Sequence, residues 1–507
     1  MMTEPHTLKT IRIHPTDNVI IALKDLSAGE RLSAGEISIV LKEPVKPGHK
    51  IALISISAFD KVIKYGHVIG HATGDIQPGE WVHSHNLATD LSGELSYTFK
   101  PGTREAGPES ASMPGFMGYR RSDGRVGIRN DIWVINTVGC VNSSAERIAR
   151  ICNERFGGKG IDGVYTFAHP YGCSQLGDDL GLTRRILAGL MRNPNAGGIL
   201  LMGLGCENNQ MEELLEIAGN PDPARLRRFY SQKVGDEIEA GIEAVGELYE
   251  IVKNDRRVEC PFSDLVIGLN CGGSDGFSGI SANPLLGQLS DRLSAWGGIP
   301  VLTEVPEMFG AEQQLMNRAR DRRTFEELVA MINGFKQYFI RHHQPVYENP
   351  SPGNKEGGLT TLEEKSLGAI QKGGSAPVAQ ILDYGVGVDL SRRGGLALIN
   401  SPGNDGVSTT AQVASGAALM IFTTGRGTPL GTPVPTVKVS SNSAIYHQKP
   451  HWIDFNAGAL LDGEVSMPEL TRRFIDYLVA VASGEKRTNN EINDYREIAI
   501  WKEGVTL

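Results

Sequence analysis

The hydrophobic rhythm of the chain changes character at two places. Over 18–23, 37–41, 50–54 and 61–65, apolar and β-branched residues come in short runs. Turn clusters at 27–30, 46–49 and 77–80, each with a glycine in third place, punctuate this region. Short β-rich runs divided by Gly- and Pro-containing turns predict a small all-β unit, assigned to 11–98. The Pro-, Gly- and Ser-rich stretch 99–117 predicts a linker. Beyond it, apolar strands at 131–137, 163–168, 198–204 and 264–269 are interleaved with helical periodicity, clearest at 207–218 and 324–341. That alternation predicts βαβ units and mainly parallel sheets. A second Pro/Gly-rich stretch, 348–359, predicts that the α/β core divides into two domains, 118–347 and 348–507. The latter has strands at 395–400 and 419–423 and a closing helix at 468–483, with Pro468 near its start and Gly484 after its end.

Composition narrows the function. The 61 glycines in 507 residues exceed the usual ~7%, as expected where backbone turns tightly or lies against ligands. A net charge of −9 argues against a polyanion partner. The arginine clusters at 120–129 and 318–323 are interrupted by acids or glycines, so no basic stripe is offered to nucleic acid. No run approaches the ~20 apolar residues of a membrane span, and residues 1–10 are polar. A cytoplasmic protein with a small-molecule partner is expected, as a monomer or a homo-oligomer. Six cysteines are too few for a disulfide framework.

Four of those cysteines follow apolar strands directly: Cys140, Cys173, Cys206 and Cys271, at separations of 33, 33 and 65 residues. Those intervals approximate one, one and two βαβ units of ~30 residues. In a parallel sheet the strand ends share one rim, where ligands bind. Cys206 precedes the predicted helix at 207–218, whose positive end would favour a thiolate. Small buried hydrophobes at strand tops are the alternative. Three or four converging thiols can also hold an iron–sulfur cluster, which ranks second because close Cys-x-x-Cys spacing is missing.

Other polar residues compete for the site. His83 and His85, two apart in a predicted strand, share a face and can grip a divalent ion, with Asn86 next to them. His169 ends a strand and is a candidate general base. Glu304 and Glu307 follow a short strand and can be ligands, acid/base groups or turn caps. Gly272, Gly273, Ser274 and Asp275 form a loop that can offer backbone N–H groups to a carboxylate. Arg426 can clamp that carboxylate bidentately, and Lys355 is a candidate acid/base or oxygen-binding cation.

Taken together, these motifs resemble a known family. The segments 118–130 and 137–142, Tyr171-Gly172-Cys173-Ser174-Gln175, Gly203-Leu204-Gly205-Cys206-Glu207-Asn208, Cys271-Gly272-Gly273-Ser274-Asp275, 349–355 and 424–429 resemble, in order, the altronate/galactarate dehydratase core. The β-unit, with Ile63-Lys64-Tyr65-Gly66 and Ile69-Gly70, resembles the SAF (β-clip) domain fused to that core. Segments 169–179 and 304–310 look like the altronate branch. The resemblance implies an α/β fold with a small N-terminal β-clip domain ahead of a core of two subdomains with mainly parallel sheets. It also implies hydro-lyase activity assisted by Fe²⁺ or Mn²⁺. The favoured reaction converts D-altronate to 2-dehydro-3-deoxy-D-gluconate by C2 proton abstraction and loss of the C3 hydroxyl. Galactarate or another sugar acid is the alternative substrate, and a non-catalytic sugar-acid-binding protein the alternative function. The expected arrangement has His83, His85, Cys206 and Glu207 holding the metal. Arg426 and the 272–275 loop hold the carboxylate, and His169 or Lys355 moves the proton.

Overall fold

The computed structural model describes residues 8–100, 112–219 and 221–507; most of the expected 99–117 linker lies outside the described residues. The N-terminal unit is all-β, with antiparallel strands in small sheets. The three turn clusters do what their glycines require. Glu30, His49 and Glu80 donate backbone hydrogen bonds to Ser27, Lys46 and Gln77, three residues back. Gly29, Gly48 and Gly79 take φ of 81°, 84° and 88°, the left-handed position a type II turn demands. Alternate residues then turn inward, and Ile20, Leu26, Leu32, Ile39, Leu41 and Ile51 form its core.

The core begins with a four-stranded parallel sheet in the order Val164–Thr166, Asp131–Asn136, Ala196–Gly203, Leu226–Tyr230. Both faces are covered, so its central strands read as unbroken apolar runs. The period of two still sorts them. Ile132, Val134, Leu200 and Met202 pack under the helices Asn142–Phe156 and Glu237–Val252. Trp133, Ile135, Ile199 and Leu201 face the helix Gly177–Met191.

A second sheet has seven parallel strands in the order Val378–Leu382, Leu396–Ile399, Ile299–Leu302, Val266–Cys271, Leu419–Thr424, Thr436–Ser440, Phe455–Asn456. Strands from both sides of the expected 347/348 boundary therefore share one sheet. The Pro/Gly-rich stretch at 348–359 carries the short helix Pro352–Glu356 and lines a cleft at the rim of that sheet. After Val266–Cys271 the chain crosses to one side of the sheet, and after Leu419–Thr424 to the other. The crevice between these two strands is a topological switch point, where open α/β sheets bind ligands. The helices Gly177–Met191 and Asp405–Ala414 join the two sheets, packed so closely that a Cβ at Gly189 would strike Ala414. The closing helix runs Met467–Ala482, with Pro468 in its first turn. No helix among the described residues is long and apolar enough to cross a membrane.

Candidate active site

A cleft of about 760 Å³ opens at that switch point. Its walls come from Cys271 to Gly273, Glu307, 403–405 and Arg426 with Gly427, all at or just after carboxyl ends of strands, and from 348–355, which follows the helix Arg322–Arg341. Gly272 is required where it stands, because a Cβ there would run into the Asp405 carboxylate.

The floor holds a dense cluster of buried charge. Cys271 ends its strand, and its sulfur lies 3.5 Å from Glu307 Oε2 and 3.9 Å from Glu304 Oε2. Glu304 sits just after Ile299–Leu302 with a left-handed φ of 65°, a conformation that costs a non-glycine residue about 1–3 kcal/mol. That backbone turn starts the short helix Val305–Met308, which brings Glu307 alongside. Two lysines from the helical stretch 362–373 close the cluster. Lys365 Nζ is 2.7 Å from Glu307 Oε1. Lys372 Nζ donates to the Cys271 sulfur at 2.7 Å and lies 3.6 Å from Glu304 Oε2. Lys365 also donates to Asn349 Oδ1 and Asn354 Oδ1 at 3.0 and 3.1 Å, tying the 349–354 loop to the floor.

Burial and mutual repulsion split these groups. Burial, reinforced by Glu307, raises the Glu304 carboxyl well above the ordinary range. Burial also acts on Glu307, but Lys365 and Lys372 outweigh it and hold that carboxyl below its usual value. Asp405 is raised by burial and then by Glu307. Burial pushes the Cys271 thiol up to about 12 despite Lys372. Lys372 stays firmly protonated, since the surrounding acids overcome its desolvation.

Cys271, Glu304 and Glu307 present one donor atom each within 4.8 Å of one another, the arrangement a metal ion needs. The fit has independent support: Glu304 Oε1 is buried with no hydrogen-bond partner, and an orphaned buried carboxylate oxygen calls for a cation. A thiolate beside two carboxylates suits a transition metal better than Mg²⁺.

The sequence-derived candidates divide. Arg426, Lys355, Gly272 and Gly273 line the cleft. Arg426 is held at the mouth by Glu356 at 2.9 Å and by the Gly353 carbonyl. Ser274 and Asp275 are buried behind it. Asp275 accepts hydrogen bonds from Ser278, Ser441 and Asn442, which spends its carboxylate on shaping the loop.

His83 and His85 are not drawn together with a third candidate ligand among the described residues. The strand ends at Val82, and a turn follows in which Asn86 and Leu87 donate to the His83 carbonyl, so strand alternation does not apply. His83 stacks on Trp81, ring centroids 5.0 Å apart, and bonds Thr360 Oγ1 through Nδ1 at 2.9 Å. His85 is exposed beside the same indole.

His169 is buried with both ring nitrogens used. Nδ1 accepts from the Tyr171 amide and Nε2 donates to the Asn136 carbonyl, which leaves no lone pair for a substrate. Glu207 folds back onto the Leu204 and Gly205 amides and Thr137 Oγ1. The following helix starts at Met211, not at 207, so Cys206 does not sit on its first turn. Lys365, Lys372 and Asp405 were not anticipated. A lysine in a fully buried helix looks in sequence like a solvated one.

The β-unit reaches the site indirectly, through the helix Leu362–Ala369 that carries Lys365. Glu364, fully buried, receives Lys50 and Lys64, each at 2.8 Å. Thr361 Oγ1 donates to the Ile69 carbonyl, and Glu363 accepts from Thr89 and the Asp90 amide.

Comparison with known proteins covers the whole architecture. The altronate/galactarate dehydratase SAF domain matches residues 8–90. The second domain of D-galactarate dehydratase/altronate hydrolase matches 118–253, and the D-galactarate/altronate dehydratase C-terminal domain matches 262–506. The chain is 51% identical to an altronate dehydratase of Bacillus subtilis (strain 168) over 498 residues, 98% of this chain and 99% of that one. It is 51% identical to an altronate dehydratase of Escherichia coli (strain K12) over 501 residues, 99% and 100% of the two chains. The identity is 34% over 503 residues to the galactarate dehydratase (L-threo-forming) of Escherichia coli (strain K12), 96% and 95% of the two.

Proposed function

The chain belongs to the D-galactarate/altronate dehydratase family, and from that premise we propose that it is a hydro-lyase whose substrate is altronate. The observation that carries the choice of substrate is 51% identity along essentially the full length of two altronate dehydratases, against 34% to the galactarate enzyme. The product is 2-dehydro-3-deoxygluconate: the C2 proton and C3 hydroxyl leave as water, and the enol formed becomes the 2-keto acid.

The C2 proton beside an ionised carboxylate is hardly acidic, so the site must stabilise an enediolate-like charge. Cys271, Glu304 and Glu307 would hold a divalent cation, Fe²⁺ or Mn²⁺ in this reading. When bound, it supplies Lewis-acid polarisation of the substrate oxygens. Arg426 exchanges Glu356 for the substrate carboxylate, a bidentate match that fixes orientation. Lys365 and Lys372 remain cationic and place positive charge under the developing anion. Asp405, on the wall with its pKa raised toward the working range, takes the C2 proton. Lys355 at the mouth protonates the departing hydroxyl.

A panel of aldonates and aldarates, assayed for 2-keto acid formation with Fe²⁺, Mn²⁺ or chelator, tests the proposal. Altronate should give the highest kcat/KM, and chelator should abolish turnover. Faster turnover of galactarate would overturn the choice of substrate.

A further inference from the structure

Three cysteines stand outside the cleft and take no part in the reaction above. Cys140, Cys173 and Cys206 each follow a strand of the four-stranded sheet, and all three are exposed. The strands are immediate neighbours and parallel, so the thiols leave the same rim. Backbone and amide hydrogen bonds lace the three loops together. Gly139 N donates to the Tyr171 carbonyl at 2.9 Å, and Asn209 N to the Gly172 carbonyl at 3.0 Å. Asn209 Nδ2 donates to the Thr137 carbonyl at 2.8 Å, and Ser174 N to Asn208 Oδ1 at 2.9 Å. Every one of these bonds joins atoms within three residues of two different cysteines. Gly172 permits the closest approach, since a Cβ there would run into the Thr137 carbonyl.

The surroundings suit thiolates. The helices Asn142–Phe156 and Gly177–Met191 start just after Cys140 and Cys173, and their positive ends favour bound negative charge. Gln232 Nε2 donates to the Cys206 sulfur at 3.7 Å. Packing does not explain these residues, because a cysteine used as a small hydrophobe is buried, as Cys152 is.

A single ion does not fit the trio. Two sulfurs bound at ~2.3 Å to one ion lie at most about 4.6 Å apart. Among the described residues, the only group of three or more His, Cys, Asp or Glu side chains with ligand atoms within 4.8 Å of one another is Cys271, Glu304 and Glu307. Thiols rising from three strands spaced ~4.8 Å apart span a wider gap, which a polynuclear centre fills.

We propose that Cys140, Cys173 and Cys206 bind an iron–sulfur cluster through three of its irons, leaving one iron open to solvent for an oxygen ligand. Each thiol releases its proton to water as its sulfur binds iron. Intervals of 33 residues hide the motif in the sequence, and the parallel sheet converts them into neighbours.

The test uses the full chain under anaerobic conditions, given ferrous and ferric iron in equal amounts with sulfide, a mixture that needs no further oxidant. Broad visible absorbance is expected, with roughly four sulfides per chain and roughly four irons beyond any ion held in the cleft. Cys140→Ser, Cys173→Ser and Cys206→Ser should each abolish the absorbance, while Cys271→Ser keeps it. In the wild-type chain, iodoacetamide should label these three thiols before loading and spare them afterwards, which needs no variant to fold. The proposal is overturned if no sulfide is taken up, if a serine variant still loads, or if labelling is unchanged by loading. None of these readouts involves turnover, so the outcome is independent of the substrate assignment.

Discussion

Lys372 points its ammonium at the sulfur of Cys271, 2.7 Å away, on the floor of a cleft where both side chains are fully buried. The pair matters because Glu304 and Glu307 crowd the same sulfur. Two lysines and a cation must balance three carboxylates and a thiol. Replacing Glu307 by Gln removes a ligand oxygen and the partner of Lys365. Bound divalent metal should fall below one per chain, and kcat should drop by roughly 10²–10³-fold. Metal analysis and steady-state kinetics check this, and an unchanged metal content would remove Glu307 from the ligand set.

Arg426 offers a sharper split. It lines the cleft, and among the described residues its guanidinium hydrogen-bonds only Glu356 and Gly353, so its loss should cost substrate binding more than folding. Arg426→Gln should raise KM about 10–100-fold, the worth of a charged hydrogen-bonded contact. Arg426→Lys should recover only part of it, because an ammonium cannot reproduce the two-pronged geometry. A KM unaffected by both changes would refute the carboxylate clamp.

His83 and His85 give a negative prediction. Their double replacement by alanine should leave stoichiometric metal bound, measured by elemental analysis, since His83 serves Thr360 and Trp81 and His85 lies in solvent. Loss of metal in the double variant would return the β-unit to the ligand sphere.

Acid should loosen the β-unit first. Burial, followed by repulsion from Lys50 and His49, depresses the His83 pKa to about 4, against ~6.5 when unfolded. Between these values the unfolded chain binds more protons than the folded one, so stability falls as pH drops from about 6.5 to about 4. Chemical denaturation across that window should show the loss for the wild type and a flatter profile for His83→Gln.

Glu364 should be the most costly single change at the domain contact. Glu364→Gln leaves Lys50 and Lys64 buried without a counter-ion, a loss of about 3–5 kcal/mol. A lower thermal midpoint and faster proteolysis near the linker would report it. Replacing all three residues with apolar ones of similar volume should restore much of the stability.

The sequence revealed elements more readily than neighbours. The three glycine turns of the β-unit and the closing helix were legible because local geometry alone demands them. Four of the strands feeding the active rim were visible as apolar runs, and Arg426, Lys355, Gly272 and Gly273 stand on loops that follow such strands or cross the rim. Cys271 and Glu304 were visible as strand-end residues, but nothing local says that one backbone residue in a left-handed conformation brings Glu304 to that sulfur. Lys365 was invisible because Leu362–Ala369 carries polar residues all round and is nonetheless wholly buried, and Lys372 because the polar turn Ile370–Gly373 just beyond it buries the lysine too. His169 and Glu207 misled for a complementary reason: each sits where a catalytic group would, yet spends its polar atoms on the chain around it.

The salt-bridged grip on Glu364 makes the two parts of the polypeptide interdependent without requiring that they be one molecule. Severing the chain between them would strand a carboxylate in a dry interior and unsettle the neighbouring Lys365. Supplying the missing lysines on a separate polypeptide would cure both defects at once. Reassembly of an active enzyme from two co-expressed fragments is the behaviour such a contact anticipates.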